Sequence, residues 1–131
     1  DFEGVFGSNR EVNITETIAT SVVESANMLD AKLIVAATMS GYTARKMSRF
    51  RPSCPIIAVS PNIDTVKSLQ LHFAVTPVLI DELNSFDKIS DIAKEITFKL
   101  VSTKPGDKII ITGGYPFKDV KHTNFLKIEE L

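Results

Sequence analysis

The chain has no tryptophan, a single cysteine and almost no net charge, with fifteen lysines and arginines against sixteen aspartates and glutamates. Each shortage excludes something. With Cys54 alone, no disulfide forms within the chain, and such usage fits a reducing, cytoplasmic compartment. A net charge of −1 removes the electrostatic footprint of a nucleic-acid or anionic-membrane binder. No apolar run approaches the roughly 18 residues of a membrane span, and no signal-peptide pattern opens the chain. The remaining composition, 44% hydrophobic and 24% charged over 131 residues, is that of one soluble globular domain. The chain opens on Asp1 rather than methionine, as expected of a fragment or a processed product.

Chemistry-bearing clusters are also scarce. His72 and His122 lie far apart without ligand partners at useful spacing, so no metal site is expected. Cys54, between Ser53 and Pro55, has no evident base and reads as a small, partly buried hydrophobe. Asp81 and Glu82 read as a solvated cluster at a strand end, and the basic "RKMSRFR" (45–51) as a solvated or interface face.

What is present is a clean alternation of periods. After a first dozen residues without a period, expected to pack loosely, residues 13–131 read as one α/β domain. Asn13 followed by Glu16 is a capping-box-like start, with Ile18, Val22, Ala26 and Leu29 at helical spacing. "KLIVAAT" (32–38) is a strand, and Ala44, Met47 and Phe50 mark a short helix stopped by Pro52. "PIIAVS" (55–60) is a second strand. A helix capped by Asn62 or Asp64 then turns Val66, Leu69 and Phe73 inward. "AVTPVLI" (74–80) is a third strand, placed at an edge by Pro77. Ser85 opens the longest helix, with Ile89, Ile92, Ala93, Ile96 and Leu100 as its stripe. "KIIIT" (108–112) is the fourth strand. The link to "TNFLKIEEL" (123–131) lacks a helical period, so the fifth strand returns antiparallel. Continuous apolar strands alternating with helices imply a sheet covered on both faces, with ligands beyond the carboxyl ends of its strands.

The stretch "VAATMSGYTARKMSRFRP" (35–52) carries the most specific signal. A helix start offers unpaired N–H groups and partial positive charge. Gly41 permits close approach, while the hydroxyls of Thr38, Ser40 and Thr43 can donate to phosphate oxygens. At hydrogen-bond strengths of about 1.5–3 kcal/mol to a charged group, three or four would hold a phosphomonoester without lysine. The plainer alternative is that Ser40 caps the helix and Gly41 turns the chain. No G-K-[ST] follows, and no G-x-G-x-x-G is present, so this is neither known nucleotide loop.

This stretch resembles the C-terminal domain of pyruvate kinase, where an apolar strand runs into T-x-S-G-x-[ST]-A, a basic helix and R-P-x-x-P-I-[IL]-A. "FAVTPVLI", "KPGDKIIITGG" and "TNFLKI" resemble the family's later motifs in the same order, from about Ile14 to Ile128. The resemblance implies a three-layer α/β/α sandwich whose five-stranded mixed sheet has the order 3-2-1-4-5, the last strand antiparallel. It implies a regulatory effector site between the loops after strands one and four: Thr38, Ser40, Gly41, Tyr42 and Thr43 on one side, and Gly113, Gly114 and Tyr115 on the other. The expected ligand is a sugar phosphate or AMP. Met39 stands where bisphosphate-regulated animal and yeast members carry lysine, and Gly114 and Tyr115 where they carry tryptophan and arginine. A monophosphate effector or none is therefore expected over fructose 1,6-bisphosphate, with Lys118 and Lys121 able to restore charge or to remain solvated.

The family's catalytic (β/α)₈ barrel needs ~250 residues. This chain is thus expected to be non-catalytic by itself, with no cofactor. The parent enzyme would use Mg²⁺, K⁺ and ADP/ATP to turn phosphoenolpyruvate into pyruvate. The expected assembly is a homodimer of the domain through its last strand or the adjacent helices, and a homotetramer of the parent. A free-standing binding module for a small phosphorylated ligand is the alternative.

Overall fold

The computed structural model describes residues 13–117 and 123–131, so the expectation of loose packing over residues 1–12 lies outside the described residues. Helix α1 (Ile14–Leu29) starts where the Asn13 side chain accepts from the Glu16 N–H at 2.8 Å and stops at Asp30 in the left-handed region. The remaining elements follow in order: β1 (Ile34–Ala37), α2 (Tyr42–Arg49), β2 (Ile56–Ser60), α3 (Ile63–Leu69), β3 (Val75–Leu79), α4 (Phe86–Leu100), β4 (Lys108–Gly113) and β5 (Phe125–Glu130). The caps follow the sequence: Asn62 accepts from the N–H groups of Asp64 and Thr65, and Ser85 from that of Lys88.

One sheet runs β3-β2-β1-β4-β5, with every pair parallel except β4–β5. The doubly wound order and the antiparallel last strand are as expected. Strands β1, β2 and all but the first residue of β4 are buried on both faces, which explains their unbroken apolar runs. Pro77 lies in edge strand β3, where a missing N–H costs no central ladder bond.

Two apolar clusters flank the sheet. One joins Ala19, Val22 and Ala26 of α1 to Ala44 and Met47 of α2, Leu69 of α3, and Ile34 and Ile110 beneath. The other joins Ile89 and Ala93 of α4 to Val35, Ile57, Ile109 and Ile111. Strand β5 divides between them: Phe125 packs into the α4 cluster and Leu126 into the other.

Three expected core residues are exposed, two at a helix's last residue and one beyond a helix. Phe73 is fully exposed because α3 stops at Leu69 and the chain turns before reaching it. Leu29 and Leu100 are the last residues of their helices and are exposed. Ser40, a candidate cap, lies one residue before the cap position, which Gly41 takes without a side-chain bond.

Candidate functional site

Strands β1 and β4 are parallel neighbours whose last residues, Ala37 and Gly113, face each other in register. Both following loops therefore leave the same end of the sheet from adjacent strands, where the winding changes direction. The closeness depends on glycine. A Cβ on Gly113 would stand 2.6 Å from the Ala37 carbonyl oxygen and 3.1 Å from Cε2 of Phe125.

The first loop is held from within. The Thr38 hydroxyl, 5% exposed, accepts from the Gly41 N–H at 2.8 Å. Gly41 has φ +87°, a conformation side chains rarely adopt, and this turns the chain into α2. Ser40 Oγ accepts from the Tyr42 N–H at 3.3 Å, and the Met39 carbonyl accepts from Thr65 Oγ1 at 2.6 Å. The Thr43 hydroxyl, 4% exposed, pairs with that of Thr123 at 2.8 Å. Of the three candidate hydroxyls, two are thus buried in protein hydrogen bonds, whereas Ser40 and Tyr42 are half-buried and reach the surface.

The second loop is fixed near both ends. Asn124 accepts from the Tyr115 N–H at 2.7 Å and donates to the Tyr115 carbonyl at 2.6 Å, and its own N–H donates to the Gly113 carbonyl at 2.9 Å. Gly114 is buried, and Tyr115 is exposed. The Tyr115 ring stacks on Phe86 with centroids 5.0 Å apart, and Phe86 meets Phe117 and Phe125 edge-on at the same distance. Lys118, Lys121 and His122 lie outside the described residues.

Two features escaped the sequence reading. The first is Arg45, read there only as one charge of a basic helix. Its Nη1 stands 2.6 Å from where a Gly41 Cβ would be, so the guanidinium lies over the glycine. The spacing of four from Gly41 was the available signal. The second is the pairing of Thr43 with Thr123, eighty residues apart, for which no local signal exists.

Other singled-out groups lie elsewhere. Cys54 is half-buried, and burial pushes its thiol above the usual range. It lines a cavity of about 670 Å³ with Arg51, His72 and Phe73, beside the starts of β2 and β3. Glu82 pairs with Lys88 at 3.2 Å, both largely solvated. Among the described residues no cluster of His, Cys, Asp and Glu gathers a metal site, and no helix is long and apolar enough to cross a membrane.

A doubly wound sheet with one antiparallel edge strand and helices packed on both faces defines a class of α/β/α domain. Within that class, the family model described as pyruvate kinase, alpha/beta domain matches residues 16–129, and the chain belongs to this family. It is 38% identical over 128 residues to pyruvate kinase of Lactobacillus delbrueckii subsp. bulgaricus, covering 98% of this chain and 21% of that protein. With pyruvate kinase of Clostridium perfringens it shares 35% over 116 residues, 88% of this chain and 24% of the relative. The solved Cryptosporidium parvum pyruvate kinase in complex with ADP superposes with a TM-score of 0.81 at 26% identity, over 99% of this chain and 27% of that one. The chain thus spans about a fifth to a quarter of the length of these relatives.

Proposed function

We propose that this chain is the regulatory and assembly domain of a pyruvate kinase. The rest of the polypeptide would transfer the phosphoryl group of phosphoenolpyruvate to ADP, with Mg²⁺ and K⁺ held outside this domain. The domain itself binds a phosphorylated effector, a sugar phosphate or AMP, between the loops after β1 and β4. The observation that carries this reading is the register of Ala37 on Gly113, which starts both loops side by side above the N-terminus of α2.

The roles follow from the geometry. Thr38 and Gly41 shape the turn, Ser40 and Tyr42 offer polar groups at the surface, and the first turn of α2 supplies partial positive charge. Arg45, whose guanidinium lies beside Gly41, would supply a cation that Met39 does not. Gly113 permits the close approach of the strands, and Gly114 and Tyr115 begin the second loop. Only a ligand that prefers one quaternary arrangement couples to activity. The route open to it is β5, which pairs with β4 and presents its other edge for a second copy of the chain.

Titration calorimetry with AMP, glucose 6-phosphate and fructose 1,6-bisphosphate tests the reading. Binding of a monophosphate that Ser40→Ala and Arg45→Ala weaken supports it. Tight bisphosphate binding refutes the preference drawn from Met39, and binding of none of the three refutes the effector role.

A further inference from the structure

We propose that Thr123 is a positioning residue for this crevice, holding the β4–β5 loop against the first turn of α2. The inference rests on the effector reading above and concerns a side chain that the ligand need not touch.

Threonines from three separate segments meet here. The Thr123 hydroxyl pairs with that of Thr43 at 2.8 Å, and the Thr123 N–H donates to Thr15 Oγ1 at 3.2 Å. All three residues are buried, Thr123 completely. In so dry a place an apolar residue of the same shape would avoid any need for a matching partner, whereas a lone hydroxyl would be destabilising. The paired hydroxyls instead give the contact a fixed direction and length.

The consequence is geometric. The next residue, Asn124, clasps Tyr115 through two hydrogen bonds and Gly113 through a third. The two described ends of the β4–β5 loop are therefore tied to each other by Asn124, and the second end to α1 and α2 by Thr123. Through Thr43, Thr123 sets the distance between the first turn of α2 and the loop that begins with Gly114 and Tyr115. A ligand held by both loops binds more tightly when their separation is set beforehand, because less freedom is lost on binding.

The test is calorimetric titration of the chain with AMP and glucose 6-phosphate, well below the unfolding midpoint, where a loss of global stability leaves the affinity of folded protein unchanged. Thr123→Val is expected to weaken binding about fivefold, the equivalent of one net hydrogen bond. Thr123→Ser, which keeps the hydroxyl, is expected to stay within about twofold of wild type. Amide exchange at Asn124 should quicken in the valine variant while exchange in β1 stays unchanged. Should Thr123→Val fail to fold, Thr43→Val, which removes the same hydroxyl pair from the α2 side, is expected to weaken binding likewise. Wild-type affinity in Thr123→Val, or in Thr43→Val where that stands in, overturns the inference and leaves the effector reading intact. Serine as weak as valine also overturns it. No binding by the wild-type chain overturns the effector reading and this inference together.

Discussion

Gly113→Ala is the sharpest perturbation that the fold offers. The added methyl would sit 2.6 Å from the Ala37 carbonyl oxygen, a backbone atom in the adjacent central strand. It cannot rotate away, because its direction is set by the backbone of β4. Phe125 Cε2 at 3.1 Å closes another side. Relief therefore requires β1 and β4 to separate at the end where both loops begin. Overpacking of this kind costs about 1–3 kcal/mol. For a chain of this length each kcal/mol moves the midpoint by about 3–5 °C, so a fall of about 3–15 °C is expected. Gly106→Ala is the control: nothing stands within 4 Å of its Cβ, and only its φ of +93° opposes alanine. Thermal unfolding followed by circular dichroism compares the two. The steric argument fails if Gly113→Ala melts within roughly 2 °C of wild type.

Three other outcomes are expected. The Glu129 carboxyl is held below the usual range, chiefly by a hydrogen bond from Lys127, then by Ser90 and the charge of Lys94, against an opposing desolvation. Its contribution to stability is complete above the ordinary glutamate value of about 4.3 and disappears as pH falls through the lowered one. Glu129→Gln should narrow the stability difference between pH 7 and pH 3 in urea titrations, and an unchanged difference would count against the network. Asn13→Ala removes the 2.8 Å cap of α1 and should cost about 1 kcal/mol in the same titrations, with no loss telling against the cap. Light scattering at high micromolar concentration should show a dimer that Ile128→Asp, on the partly exposed β5, disperses; a monomeric wild-type chain would remove the assembly role.

Most of the fold was legible because burial on both faces leaves a mark that no alternative element reproduces. The buried runs of β1, β2 and β4 are too short for helices and too apolar for surface strands, and Pro77 marked its own strand as an edge. Periodicity failed at Phe73 because a pattern does not record where a helix stops: α3 ends four residues earlier, at Leu69. The loops after β1 and β4 were less legible, for a different reason. A hydroxyl in a sequence announces a hydrogen bond but not its partner: Thr43 read as a ligand group, yet its oxygen faces Thr123. Arg45 shows that part of this information was recoverable. Side chains on a helix lean toward its N-terminus, so a long residue four positions after the glycine cap lies back over it. Counting forward one turn from Gly41 would have placed the Arg45 guanidinium beside that glycine, and the same count applies wherever a glycine opens a helix at the end of a buried strand.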